Sequence, residues 1–319
     1  MRNLRRFFFN GQNLLALLIV GVFVGAALAA PVLAPPADDS SESSIFFKRV
    51  GRRTDRTPNP PGEGALLGTL PSQLDIFYTL VWGTRHALRF GLVVSLCTAC
   101  LGVLVGAVSG YAGGTVNRLM LRVTDGFLAI PVIIGVGIFR QLVFLAGPSV
   151  AVSPVQRALG ILGSDYVMLG LVFFSWMPYA RIIHANVARL RNVDYVQAAR
   201  SAGAGGLRII FRHLLPNAIA PAIVLVARDV GAMVLLGAAF TFIGVGGESP
   251  WGELAALGRE YVIGSYGDPL QTWWVYLPVT LALILFGVGW NLLGDGLNDQ
   301  LNPRLDRRRA FGVSRLVDL

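Results

Sequence analysis

The stretch DYVQAARSAGAGGLRIIFRHLLP, residues 194–216, is polar and rich in arginine, although strongly apolar segments lie on both sides of it. We call it the polar stretch. Asp194 and Gln197 form a capping-box pattern, in which the Asp side chain accepts a hydrogen bond from the Gln197 backbone amide and the Gln side chain reaches back. This pattern predicts a short helix. Helical spacing places one set of side chains on a single face of it, namely Tyr195, Ala198, Ala199 and Ala202.

Three glycines interrupt the polar stretch after this helix. Gly203, Gly205 and Gly206 are expected to end it, because glycine adopts positive φ without steric cost. A second helical turn over 207–213 then leads to Pro216, a residue suited to the first turn of a new helix. The sequence therefore predicts a helix, a break and a second helix.

The composition of the whole chain is that of a membrane protein. Of its 319 residues 54% are hydrophobic and only 14% are charged, whereas soluble domains carry about 25% charged residues. The net charge is +9, and Lys48 is the only lysine. The arginines cluster beside apolar runs instead of forming one basic face, so we expect contact with membrane lipid and no nucleic-acid partner.

Apolar runs predict about six transmembrane helices and an all-α polytopic membrane fold. The first run follows Arg2, Arg5 and Arg6, and we interpret it as an uncleaved anchor, although Ala27-Leu28-Ala29 also fits a signal-peptide cleavage site. Pro131 and Arg140 interrupt the third run. The predicted spans are 14–30, 90–117, 125–146, 166–180 (extending toward 186), 218–245 and 269–294.

The distribution of basic residues predicts which side of the membrane each loop faces. With the N-terminus inside, the cytoplasmic segments hold 16 Lys and Arg and the outer segments 10, seven of which belong to the long first loop and its lead-in. Positive residues favour the cytoplasmic side, most strongly in short loops. We therefore expect cytoplasmic N- and C-termini and a cytoplasmic polar stretch.

These boundaries predict four parts of the chain. They are an N-terminal anchor at 1–36, an extracytoplasmic loop with an interfacial lead-in at 37–86, a transmembrane core at 87–300 with the loop 190–216 inside it, and a cytoplasmic tail at 301–319. The 37–86 loop contains a basic cluster and a Pro-rich segment, so we expect it to be hydrophilic and partly flexible. The loop at 147–164 is expected to be irregular.

Small residues and cysteines in the second span are interpreted as packing residues. Gly102, Gly106 and Gly110 lie four apart, a spacing that lets membrane helices approach closely. Cys97 and Cys100 could belong to a redox or zinc site, but a structural zinc needs about four ligands and the histidines are scattered. We interpret both as buried thiols acting as small hydrophobes.

Motifs for covalent chemistry are missing from the sequence. It contains no P-loop, and Lys48 is its only lysine, so no lysine is available for nucleotide phosphates. It also lacks the HExxH and GxSxG patterns. We expect a protein that is not an enzyme, binds no cofactor itself and obtains energy from a gradient or from a partner.

Two adjacent charged residues lie inside the predicted fifth span. Charges within a membrane are costly and are functional candidates by default, so Arg228 and Asp229 are candidate residues of a translocation pathway. The alternative is a position near the membrane edge, or pairing with a neighbouring helix.

The polar stretch resembles the cytoplasmic loop signature of bacterial ABC-importer permeases, E-A-A-x3-G-x9-I-x-L-P. Six residues stand at the required spacings: Gln197, Ala198, Ala199, Gly203, Leu215 and Pro216. Gln197 replaces the usual Glu, and His213 stands at the Ile position. The segments 110–125, 175–181, 242–252 and 291–305 resemble further signatures of the dipeptide, oligopeptide and nickel permeases of the second-permease type.

This resemblance implies a permease subunit in the bacterial inner membrane whose coupling helix docks on an ATPase. The implied partners are a homologous second permease forming a heterodimer, two ABC ATPase subunits that hold ATP and Mg, and an extracytoplasmic solute-binding protein. The substrate would be a peptide, nickel, a sugar or another small solute. The implied ATPase-coupling residues are Asp194, Tyr195, Gln197, Ala198, Ala199, Gly203, Leu215 and Pro216.

A gradient-driven secondary transporter or channel is the alternative from another class. Such proteins often show inverted repeats and discontinuous helices. The sequence shows no convincing internal repeat and no buried carboxylate beyond Asp229, which favours the importer interpretation.

Overall fold

The structure is a computed structural model that describes residues 10–36, 45–62, 64–145, 165–263 and 269–301. Three predicted features lie outside these ranges: the N-terminal arginine cluster, the 147–164 loop and the tail beyond Leu301.

The described part of the segment between the first two membrane helices contains a small sheet. Helix α1 (Gly11–Leu33) contains the predicted first span 14–30. A two-stranded antiparallel sheet, β1 (Thr69–Leu70) and β2 (Leu74–Asp75), precedes helix α2 (Ile76–Ala112). Helix α2 starts well before the predicted position 90, so the interfacial lead-in is part of the same helix. At about 1.5 Å per residue it is roughly 55 Å long and extends beyond a hydrocarbon core of about 30 Å.

The third predicted span is broken into two helices. Helices α3 (Gly114–Leu128) and α4 (Val132–Leu145) are bent by 90° relative to each other. Pro131 lies in the break, where its missing N–H and its ring prevent a continuous helix. The predicted range 125–146 therefore started too late, and the described residues contain six candidate spans only if this pair counts as one.

The fourth span also consists of two helices, but these two follow each other as one continuous span. Helices α5 (Tyr166–Ser175) and α6 (Met177–Leu190) form the candidate span Tyr166–Leu190. Pro178 lies in the first turn of α6, where proline needs no hydrogen-bond donor. The expected extension beyond residue 180 is confirmed.

Helices α7 (Asp194–Ser201), α8 (Gly206–Ile209) and α9 (Leu215–Ala218) make up the polar stretch, with a π-helical turn at Ile210–Leu214 between α8 and α9. The fifth span, α10 (Ala220–Phe242), follows directly. The predicted helix–break–helix is therefore present.

The last part of the chain differs from the predicted sixth span at its start. Helix α11 (Pro250–Ile263) was not predicted, and a 3-10 helix occupies Pro269–Val275 before the span α12 (Leu277–Leu301). The indole N–H of Trp251, at the start of α11, donates to the carbonyl oxygen of Leu80 at 3.1 Å. This bond holds α11 against the first part of α2.

Close glycine contacts define how α2 and α6 pack. A Cβ atom at Gly102 would lie 2.3 Å from the Trp176 carbonyl oxygen, and one at Gly110 would lie 2.8 Å from that of His184. The later residue of α2 contacts the later residue of α6, so the two helices run parallel. The predicted close approach at these glycines is confirmed.

The other spans alternate in direction. Gly91 of α2 packs on Val230 of α10, and Gly294 of α12 packs on Val224. Gly237, later in α10, packs on Phe90, and Gly287, earlier in α12, packs on Leu235. Both helix pairs are therefore antiparallel, and α10 returns from the end of the bundle that carries the polar stretch. Gly289 of α12 packs on Ile19, and the rings of Phe286 and Phe23 lie 5.1 Å apart, so α1 and α12 are antiparallel. The start of α1 and the end of α12 therefore lie at that same end.

Cys97 and Cys100 are both free thiols, but only one of them fits the sequence interpretation. Cys97 is half-buried and packs against the main hydrophobic core. Cys100 is exposed, one helical turn away, so its interpretation as a buried thiol is wrong. On a membrane helix an exposed position faces lipid or another protein.

The extramembrane segment between α1 and α2 is organised around one buried amide. The Gln73 side chain accepts hydrogen bonds from Asn59 at 2.9 Å and Thr69 at 3.3 Å, and it donates to the Thr57 carbonyl oxygen at 2.8 Å. Ser72 and Gln73 both have positive φ, 64° and 58°. The described part of this segment therefore has a defined hydrogen-bonded structure, and its partial flexibility stays a prediction.

Candidate functional site

The N-terminus of α7 is built differently from the predicted capping box. Val193, not Asp194, is the N-cap residue, with φ −75° and ψ 155°, and the Gln197 backbone amide donates to the Val193 carbonyl oxygen at 3.1 Å. Asp194 is the first helical residue, where its negative charge interacts favourably with the positive end of the helix dipole. This register places Val196 at zero exposure, and burial of Val196 outweighs the capping preference.

The C-terminus of α7 is closed by a Schellman motif at Gly203. Ala204 N–H donates to the Ala199 carbonyl oxygen at 3.0 Å, and Gly203 N–H donates to that of Arg200 at 3.0 Å. Gly203 has φ +80°, the left-handed conformation that the motif requires. Gly205 has φ −69°, so of the three predicted glycines Gly203 supplies the positive-φ turn.

The polar stretch is seated on the end of α2. The Arg200 guanidinium lies over the ring of Tyr111, 5.7 Å from its centroid, and a Cβ atom at Gly206 would lie 3.1 Å from the same ring. Arg191 donates to the Gly110 carbonyl oxygen at 3.4 Å. Buried side chains from both helical parts join one hydrophobic cluster: Val196, Ile209, Ile210, Leu214 and Leu215.

The polar stretch carries three large apolar or aromatic side chains that are exposed. Leu207 is 71% exposed, Phe211 is 55% exposed and Tyr195 is 43% exposed. We call these three residues the exposed apolar face. Exposed large apolar side chains on a seated, otherwise polar segment are typical of a protein-binding surface.

The residues predicted for coupling fall into two groups. Asp194, Tyr195, Gln197, Ala198, Gly203 and Pro216 are exposed, and Ala199 is half-buried. Leu215 is only 8% exposed and packs in the hydrophobic cluster, so it holds the stretch in place and does not face outward.

The surface around the exposed apolar face is basic. Arg189, Arg200, Arg208 and Arg212 are exposed, and Asp194 is the one acidic residue of the polar stretch. Such a surface favours a partner with acidic residues around an apolar groove.

Arg228 and Asp229, the candidate translocation residues, have partners within the chain. The Arg228 guanidinium forms an ion pair with Asp295 of α12 at 2.6 Å, and both side chains are about half exposed, 49% and 54%. Asp229 accepts a hydrogen bond from the Tyr179 hydroxyl of α6 at 2.7 Å. Their predicted role in a pathway stays a prediction.

Four residues of the site were not singled out from the sequence. Tyr111 lies within a segment that matched a permease signature, but its place beneath the polar stretch depends on tertiary contact. Leu207 and Phe211 are spaced by four in an otherwise polar segment, a helical pattern that could have identified them. No sequence pattern identifies Arg200 as part of the site. Within the described ranges, no group of three His, Cys, Asp or Glu residues could hold a metal ion.

Comparison with known proteins adds a family and several relatives. The family described as binding-protein-dependent transport system inner membrane component matches residues 102–307. The di/tripeptide transport system permease protein DppC of Pseudomonas aeruginosa (strain UCBPP-PA14) is 32% identical over 93% of this chain and 89% of its own length.

Two further relatives cover similar parts of the chain. The glutathione transport system permease protein GsiD of Pectobacterium atrosepticum is 30% identical over 79% of this chain and 76% of its own length. The dipeptide transport system permease protein DppC of Alkalihalophilus pseudofirmus is 28% identical over 93% and 87%.

Proposed function

The chain belongs to the family of binding-protein-dependent transport system inner membrane components, and from this premise we propose that the polar stretch receives the movement of a partner ATPase. The chain is a multi-pass permease of an ABC importer in the bacterial inner membrane. It is a transport component and not an enzyme. A gradient-driven carrier therefore no longer competes as an interpretation.

The exposed apolar face carries this proposal. Leu207, Phe211 and Tyr195 project from a segment that is held on α2 through Tyr111, so a force on the face reaches the membrane helices. Gln197, Ala198 and Ala199 add a small, exposed or half-exposed surface beside it. Small side chains allow close approach of a partner, and the large apolar ones supply binding energy.

ATP and Mg belong to the partner subunits in this proposal. Closure of the ATPases around nucleotide displaces the polar stretch, and the spans move between inward-open and outward-open packing. Such a change is a population shift between two packed states, driven by differential binding of nucleotide. This chain contributes no group to the hydrolysis.

We propose a complex with one homologous permease as a heterodimer, two ATPase subunits and an extracytoplasmic solute-binding protein. The family description names dependence on a binding protein, which supports the last of these. The arginine distribution supports a cytoplasmic polar stretch and cytoplasmic termini. The names of the relatives support peptides as substrates, since they specify dipeptides, di- and tripeptides, and glutathione.

Alanine substitution of the exposed apolar face tests the proposal. In the complete transporter in detergent and in proteoliposomes, Leu207→Ala with Phe211→Ala should release the ATPase subunits and abolish ATP-dependent peptide uptake. Leu119→Ala is the matched control, since Leu119 on α3 is 59% exposed but lies outside the polar stretch. Full ATPase co-purification and uptake in the double variant would contradict the proposed docking role.

A further inference from the structure

Three polar side-chain pairs join four membrane helices. Asp125 of α3 pairs with Arg181 of α6, Tyr179 of α6 hydrogen-bonds Asp229 of α10, and Arg228 of α10 pairs with Asp295 of α12. We call these six residues the polar belt. Each pair connects two different helices, so the belt links α3, α6, α10 and α12 in an unbroken series.

The polar belt is a thin layer near one end of the bundle. Tyr179 and Arg181 are separated by about 3 Å along α6, and Arg228 and Asp229 by about 1.5 Å along α10. Arg228 lies eight residues after the start of α10 at Ala220, which places the layer roughly 12 Å into that helix. The polar stretch ends at Pro216, just before the start of α10.

The hydrogen bond between Tyr179 and Asp229 joins residues that lie on either side of the polar stretch in the sequence. Tyr179 lies on the helix that precedes the stretch, and Asp229 lies on the helix that follows it, 50 residues later. The bond therefore joins the two helices that are connected in sequence to the two ends of the polar stretch. Adjacent side chains on α10 point in different directions, so Arg228 ties the same helix to α12 instead.

Close packing of the same helices does not depend on these pairs. A Cβ atom at Gly231 would lie 3.0 Å from Gly287, so α10 and α12 already touch through their backbones. Outside the belt, a Cβ atom at Gly102 of α2 would lie 2.3 Å from the Trp176 carbonyl oxygen, so α2 also packs closely on the start of α6. The polar pairs add a directional restraint that apolar packing lacks, because hydrogen bonds and ion pairs resist sliding along a helix axis.

We propose that the residues of the polar belt are positioning residues, which make four helices follow the polar stretch as one unit during transport. This inference rests on the proposed ATPase-coupling function. In it, Arg228 and Asp229 serve to transmit movement and do not bind substrate. In the change between inward-open and outward-open packing, the four helices then move together rather than one at a time.

The number of ATP molecules hydrolysed per substrate transported is the decisive measurement. In proteoliposomes that contain the complete transporter with its binding protein and a radiolabelled dipeptide, Tyr179→Phe and Asp295→Asn should each raise this ratio by about threefold, the effect of losing one modest interhelical bond. The ATPase subunits should remain bound in both variants. The double exchange Arg228→Asp with Asp295→Arg should bring the ratio back toward that of the unchanged protein.

A control and the opposing results complete the test. Glu260→Gln removes the exposed ion pair between Arg259 and Glu260. This pair lies between neighbours on one helix, α11, so the ratio should not change. A ratio unaffected by Tyr179→Phe and Asp295→Asn would overturn the proposal. So would a raised KM for the dipeptide at an unchanged ratio, because that result identifies a substrate pathway. Absence of bound ATPase in the unchanged protein would instead refute the proposed function itself.

Discussion

The side-chain amide of Gln197 donates a hydrogen bond to the backbone carbonyl oxygen of Asn192, at 2.8 Å. The bond spans the turn between α6 and α7 and satisfies a carbonyl that no intrahelical donor reaches. A glutamate, the residue usual at this position of the signature, accepts hydrogen bonds but has no donor when ionised. Gln197 therefore stabilises this turn with a hydrogen bond that an ionised glutamate could not donate.

Gln197→Glu is expected to loosen the start of α7. The variant places a carboxylate against the Asn192 carbonyl oxygen, and loss of the bond costs about 0.5–1.5 kcal/mol, at the low end for an exposed group. Hydrogen exchange at the amides of Val196 and Gln197 measures the loss. Gln197→Ala, which removes the bond without adding charge, should show a smaller increase in exchange. Equal protection in all three proteins would contradict the importance of the bond.

Gly203→Ala is expected to destabilise the polar stretch through its backbone. Alanine at φ +80° costs about 1–2 kcal/mol, although the Cβ atom meets nothing within 4 Å in the described part of the chain. Gly205→Ala is the matched control, because Gly205 has an ordinary φ of −69° and is equally unobstructed. Hydrogen exchange over 194–204 should rise only in the Gly203 variant. The same change in both variants would show that the Schellman geometry does not govern this turn.

Gly102→Ala is expected to force α2 and α6 apart. The added Cβ would lie 2.3 Å from the Trp176 carbonyl oxygen and 2.5 Å from the Tyr179 Cβ, contacts that flexible side chains cannot relieve. Overpacking of this kind costs roughly 1–3 kcal/mol or more. Thermal unfolding in detergent should show a lower midpoint than for Gly25→Ala, since Gly25 on α1 has open space around it within the described residues. Equal midpoints would mean that the helices separate without cost.

The stability of the protein should depend on pH through Asp75. Burial raises the pKa of this carboxyl above its usual value, and its Oδ1 accepts the Tyr78 backbone amide at 3.1 Å as the N-cap of α2. Because the folded pKa exceeds the unfolded one, the folded state binds more protons between the two values. Stability should therefore fall as the pH rises from the unfolded pKa through the folded pKa.

Asp75→Asn isolates this effect. Asparagine keeps the capping oxygen but does not ionise, so the pH dependence of the unfolding midpoint between about pH 4 and the folded pKa should become flatter. Asp75→Ala loses the cap as well and should cost about 1 kcal/mol at any pH. A slope that persists in the Asn variant would assign the pH dependence to another group.

Local sequence patterns predicted most of the architecture. Long apolar runs are enough to identify membrane helices, since the bilayer demands internal satisfaction of every backbone group. The glycine spacing in α2 likewise predicted a close helix contact, found at Gly102 and Gly110. Family spacing located the polar stretch and the turn at Gly203. The helix ends were less well predicted, as for α2 and α12, because helical residues continue beyond the apolar part.

The capping box failed because a local preference competed with burial. Asp194 and Gln197 satisfied the pattern, but the chain starts the helix at the register that buries Val196 completely. The sequence alone does not show that tertiary contacts bury Val196.

By itself, the sequence determined that this protein is a bundle of membrane helices with a polar helix–break–helix, because hydropathy, glycine and proline act over neighbouring residues. Only the tertiary structure decided that Tyr111 supports the polar stretch, and that Arg228 and Asp229 bind Asp295 and Tyr179 on different helices. Such pairings join residues far apart in the chain. They depend on how the helices are rotated and at what height they pack, and a single sequence does not specify either quantity.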